Sequence, residues 1–243
     1  DWVAPPEGMI GLTSLSNGIL AGFKDNEVMF CEPFMPHAWP TKYRMSTDYP
    51  IVGIKAVGSS LIITTKAYPY VAQGAHPSNM TLARMRENQS CVSKRSIVGM
   101  GHSVMYASPD GLISAAGNIA TLATEKVYSR AQWQAMKPET IHGYMHEGSY
   151  IGFYTVSGVQ KGFIFNPKSL LLSDLTDVTT LTGGYANPED DALYFIDNVS
   201  QIKQFNAGAD STYEWQSKQY KVGRPMNMAA ARVEAESYSN ITL

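Results

Sequence analysis

The sequence predicts an all-β chain, a five-bladed β-propeller of four-stranded antiparallel blades, and three observations predict it. First, a strand–turn–strand unit recurs five times. Its second strands start at Ile19, Leu61, Val104, Tyr150 and Leu193, with separations of 42, 43, 46 and 43 residues. Four short strands repeating every ~43 residues is the mark of propeller blades. Second, these strands are almost wholly apolar, as strands buried on both faces must be. Third, the 20 glycines and 13 prolines fall between the strands, where turns require them. One four-stranded sheet cannot bury both its faces, but neighbours stacked in a ring can. A six-bladed or incomplete propeller is the architectural alternative.

In chain order, residues 1–8 (DWVAPPEG) form a Pro-rich lead-in, and the propeller occupies 9–221. The clearest unit is 18–33, where two apolar strands flank the polar turn Lys24-Asp25-Asn26. First strands are expected in the segments beginning at Met9, Pro50, Arg95, Thr140 and Thr179. Third strands are expected from Glu27, Tyr68, Gly111, Lys161 and Gln201, and more polar fourth strands from Tyr43, Thr81, Ile119, Ser169 and Tyr213. Small residues in the second strands (Ala21, Gly22, Ala107, Gly152) suit crowding toward a central axis. One helical stretch is expected at 129–136, capped by Ser129 and stopped by Pro138. Residues 222–243 break the period, and the alternation in ARVEAESY reads as a strand that opens a further β domain or closes the ring. A chain beginning at Asp1 rather than Met is expected to be part of a longer protein.

Composition narrows the function. Of 243 residues, 44% are hydrophobic and 16% charged, enough to build a core and unlike a disordered chain. The net charge of −2 creates no field for nucleic acid or an anionic membrane. No apolar run reaches the ~18 residues of a membrane helix. Cys31 and Cys91 sit in apolar surroundings and read as buried free thiols.

Catalytic patterns are weak. His142 and His146 share one strand face about 13 Å apart, too far for one metal. The acids Asp25, Glu27, Asp110, Glu147, Asp190, Asp191 and Asp197 fall in turns, where they cap backbone amides. A glycosidase needs two or three acids at the channel, yet the first strands offer mainly Gly, Ser, Thr, Ile and Val. Ser93-Lys94-Arg95-Ser96 reads as a solvent-facing turn rather than a Ser-Lys nucleophile pair. Gly99-Met100-Gly101 lacks the remaining parts of a phosphate loop. The expectation is a protein without catalysis, with no catalytic residue, cofactor or metal.

The distinctive non-repeated segment is CEPFMPHAWPTKY, residues 31–43. Phe34, Met35, His37 and Trp39 are the candidate partner-binding residues, since exposed aromatics and Met mark interfaces. The simpler reading is a loop across the blade edge, with Trp39 filling the gap to the second blade.

Several stretches resemble bacteriophage and prophage virion structural proteins: CEPFMPHAWP at 31–40, DYPIVGI at 48–54, CVSKRSIV at 91–98, YASPDGL at 106–112 and QWQAMKPETIHGYMHEGSYIGFY at 132–154. The resemblance covers most of 8–236 and is to tail proteins carrying a propeller within a longer chain, similar to the nozzle or tail-tube proteins of short-tailed phages. It implies a non-catalytic structural role in a virion assembled in the bacterial cytoplasm. The implied partners are other tail proteins and further copies of the chain, with no membrane and no specific nucleic acid. It supplies no site residues. The alternative function is a carbohydrate-binding or glycoside-hydrolysing propeller.

Overall fold

The computed structural model describes residues 3–175, 178 and 180–208. Contacts divide the chain into a unit of 1–206 and a second of 207–243, and the fold below is that of the first. The expected strand from Tyr213, the boundary at 221 and the segment 222–243 lie outside the described residues.

Five antiparallel sheets follow one another along the chain, each a meander whose strands pair in sequence order. Sheet 1 is β1 (Ile10–Ser14), β2 (Leu20–Lys24), β3 (Glu27–Phe30) and β4 (Arg44–Ser46). Sheet 2 is β5 (Ile51–Val57), β6 (Ser60–Thr65), β7 (Tyr70–Gln73) and β8 (Thr81–Arg84). Sheet 3 is β9 (Val98–Gly99), β10 (Val104–Ala107), β11 (Leu112–Ala116) and β12 (Ile119–Leu122). Sheet 4 is β13 (His142–His146), β14 (Ser149–Val156), β15 (Val159–Asn166) and β16 (Leu171–Leu175). Sheet 5 is β17 (Leu181–Asn187), β18 (Ala192–Asp197) and β19 (Ile202–Gln204).

Side chains alternate across each second strand, and the alternation builds the interfaces. Ala21 and Phe23 of sheet 1 meet Leu61 and Ile63 of sheet 2. Ile62, on the opposite face, meets Val104 and Tyr106 of sheet 3. Met105 and Ala107 meet Tyr150 of sheet 4, whose Ile151 and Phe153 meet Leu193 and Phe195 of sheet 5. Each such buried apolar side chain contributes about 1.5–3 kcal/mol. Among the described residues no core cluster joins sheet 5 to sheet 1.

The first strands are the innermost, since β1 meets β5, β5 meets β9, β9 meets β13 and β13 meets β17. The small residues of the second strands therefore do not crowd an axis. Gly22 leaves room for Met9, and Gly152 for the Phe163 ring. The one α-helix among the described residues, α1 (Arg130–Ala135), starts at the expected cap: Ser129 accepts from the Gln132 amide, and Gln132 reaches back to the Ser129 amide. It serves to insert Trp133, fully buried between sheets 3 and 4, whose Nε1 donates to the Ser108 carbonyl at 2.7 Å.

Candidate functional site

The 31–43 loop leaves β3 and folds back over sheet 1. Residues 28 to 31 point alternately to the two faces. Val28 and Phe30 face sheet 2, whereas Met29 and Cys31 face away from it. Trp39 lies on Met29 and Cys31 and is 2% exposed. It therefore covers the far face of sheet 1 and does not fill the gap to sheet 2. As a buried core residue it is not available to a partner, which corrects its place among the four candidates. Its Nε1 donates to the Pro36 carbonyl at 2.8 Å, and its amide to the Val3 carbonyl at 2.8 Å. The lead-in is thus tied into the sheet. Cys31 is equally enclosed: its Sγ accepts from the Leu20 amide at 3.0 Å, and burial raises its pKa. Both cysteines are free and buried.

The other three candidates stand outside. Phe34 is 82% exposed, and Met35 and His37 are also exposed. Phe34 adopts φ +60°, a left-handed conformation that costs a bulky L-residue about 1–2 kcal/mol. It is held there by its amide, which donates to the Gly18 carbonyl at 2.8 Å. Its ring lies over Gly18, itself at φ +74°, where any Cβ would collide with it. Met35 borders a shallow groove of about 420 Å³ lined also by Val3, Glu32, Ala38, Thr41 and Lys42.

A polar hinge fixes the base of this loop to sheet 2. Glu32 Oε1 meets His76 Nε2 at 3.3 Å, and the His76 ring stands edge-on to Tyr43 with centroids 5.7 Å apart. The Ser78 amide donates to His76 Nδ1 at 3.2 Å, so Nδ1 is the acceptor and Nε2 carries the proton toward Glu32. Burial, and then the hydrogen bond with Glu32, raise the Tyr43 pKa. Ser78 Oγ also lies 2.8 Å from Nδ1, and His76 is itself the cap of the turn Pro77–Asn79, its amide donating to Asn79 Oδ1 at 3.0 Å. Glu32 and His76 are 44 residues apart, so no local pattern marks this hinge.

The channel mouth, at the starting ends of the inner strands, is occupied by the turn Lys94–Ser96. Ser93 and Ser96 are buried rather than facing solvent, because both hydroxyls find carbonyls: Ser93 Oγ donates to Ile141 at 2.6 Å and Ser96 Oγ to Ser93 at 2.7 Å. Lys94 and Arg95 between them are exposed. His142 and His146 stand in β13 packed on rings, His142 on Phe153 and His146 on Phe205. Burial, with Arg95 adding to it, lowers the His142 pKa to about 4. Among the described residues no group of three or more His, Cys, Asp or Glu is placed to hold a metal.

No protein-family model and no curated protein sequence matches the chain. Solved structures do. A catalytically inactive variant of virginiamycin B lyase from Staphylococcus aureus, with quinupristin, superposes with TM-score 0.51 at 9% identity, over 82% of this chain and 71% of that one. The chain is a β-propeller. The N-terminal domain of Nup159 matches with TM-score 0.48 at 10% identity, over 82% of this chain and 60% of that one, and the nidogen/laminin complex with 0.46 at 9%, over 77% and 73%. The chain thus spans 60% of the length of the Nup159 domain. At these identities the likeness is one of fold.

Proposed function

We propose that this propeller is a non-catalytic protein-interaction platform, and that its setting is the tail of a bacteriophage. The observation that carries the platform reading is Phe34. A large apolar side chain is held almost fully in solvent, in a backbone conformation that disfavours it, by a loop fastened on both sides. Strain maintained at an exposed position points to use at that position. A pre-set aromatic beside Met35 and a groove has the makings of an interface anchor, and little ordering entropy is lost when it docks. The rigid stacked sheets below suit a scaffold. The tail setting rests on the sequence resemblance at 31–40, 48–54, 91–98, 106–112 and 132–154, and the partners it implies are neighbouring tail proteins and further copies of this chain.

Two measurements test the reading at its two levels. Electron microscopy of the virion should find this chain in the tail, and a particle without it ends the phage assignment. Replacing Phe34 and Met35 together by Ser should abolish docking to the adjoining tail protein with the fold intact. Unchanged docking would remove the loop from the platform.

A further inference from the structure

The Ser93–Ser96 turn is absorbed by none of this, although its construction is specific. Its two serines hold the backbone. Ser96 Oγ, besides donating to Ser93, accepts from the Ala107 amide at 2.9 Å, and Tyr150 Oη donates to the Ser96 carbonyl at 2.9 Å. Cys91 Sγ donates to the Ser93 carbonyl at 3.3 Å. A turn pinned by so many buried partners presents its two remaining side chains in fixed directions. Those two are cations, and they leave to opposite sides. Lys94 extends past Gly53 of sheet 2 to the Phe23 ring of sheet 1, with Nζ 5.8 Å from the ring centre. Arg95 reaches sheet 5, donating to the Thr182 carbonyl at 2.7 Å, and lies against the Tyr144 hydroxyl. A third cation, Lys55, lies on the same face of β5 as Gly53 and packs beside Gly99. Among the described residues none of the three forms an ion pair.

We propose that this mouth is an anion-binding site, and that its ligand is an acidic, extended peptide segment of a partner protein. This deepens the platform reading and rests on it only for the partner's being a protein. Cations spread across one mouth with no acid among the described residues paired to them leave a positive region that attracts an anion. Arg95 spends one donor on Thr182 and Tyr144 lies at its side, leaving other guanidinium donors to grip a carboxylate. An extended strand crossing the mouth meets Lys94 on one side and Arg95 on the other, with the half-buried Tyr144 beside Arg95. A peptide fits better than a nucleic acid because three cations on a chain of net charge −2 neutralise too few phosphates for firm binding.

The test is fluorescence anisotropy of the full chain with a labelled peptide of alternating Glu and Gly. Single-stranded oligothymidylate is the competing probe. The variants are K94A, R95Q and the double K94A/R95Q. Gln keeps an amide donor for the Thr182 carbonyl, so the cross-channel hydrogen bond has a substitute, and thermal unfolding checks each fold. The proposal expects saturable peptide binding that weakens as salt rises, about tenfold loss for each single change and about a hundredfold for the double. It is overturned by no saturable binding, by binding the double variant retains, or by oligothymidylate binding more tightly than the peptide. Because Phe34 lies outside the mouth, failure of the Phe34–Met35 docking test leaves this titration unaffected, and the two readings fall separately.

Discussion

The outward faces of the first and last described sheets come from the same repeat unit and meet different ends. On sheet 1, Met29, Cys31 and Leu20 are closed over by Trp39 and Met9. On sheet 5 the face turned away from sheet 4 carries Tyr185, Tyr194, Ile196 and Ile202 as cross-strand neighbours, and Tyr185 and Ile202 are 63% and 71% exposed. In the sheets between, both faces are covered by neighbouring sheets. A stacked repeat has an apolar side left over at each terminus, and it must supply a lid or stay bare. Here the insertion between β3 and β4 supplies the lid, and its prolines help to keep it in place.

The largest effect should come from removing the lid. Trp39→Ala should destabilise the fold by about 3–5 kcal/mol, read from denaturant unfolding. A cost below 1 kcal/mol would mean that sheet 1 is as tolerant of exposure as sheet 5, and the contrast would fail. The junction that carries sheet 5 should be sensitive to acid. His142 stacks on Phe153, and its Nε2 lies 3.0 Å from Gln160, whose Oε1 accepts from the Leu181 amide at 2.6 Å. Its folded pKa is depressed to about 4, while the unfolded chain protonates near 6.5. Stability from this group is complete above pH 6.5 and is lost as pH falls toward 4, by about 2–3 kcal/mol. Unfolding midpoints between pH 7 and 4 should show that slope, and His142→Gln should flatten it.

A smaller and opposite effect is expected on the lid itself. Phe34→Gly relieves the left-handed strain and should raise stability by about 0.5–1 kcal/mol, seen as a higher unfolding midpoint. A loss of stability there would show that the ring over Gly18 is structural packing. The smallest effect belongs to the bare face. Tyr185→Ser and Ile202→Ser should each shift stability by less than about 0.5 kcal/mol. A penalty above 2 kcal/mol would reveal something already covering that face.

Strand positions were legible because burial on both faces leaves continuous apolar runs, and the Ser129 cap because its partner Gln132 is three residues away. The order of strands from axis to rim was not legible. First and second strands are both apolar, and Gly22 and Gly152 make room for Met9 and Phe163 as readily as for an axis. Trp39 was recognisable as a filler, but its side of the sheet depends on the parity of Met29 and Cys31 against Val28 and Phe30, which a one-residue shift reverses. The serines of the 93–96 turn looked solvated because their neighbours are charged. Only the Ile141 carbonyl, 48 residues away, makes burial affordable for Ser93.

The position of the lid in the chain bears on synthesis. Trp39 precedes every residue of sheet 2, which begins at Ile51. A nascent chain leaving the ribosome can therefore seal one side of its first sheet before the neighbour for the other side has been made. With strands that pair only in order, each later sheet can add to a surface already waiting for it. Vectorial growth of this kind shortens the time that apolar strands spend unprotected, which is when all-β chains are most prone to aggregate.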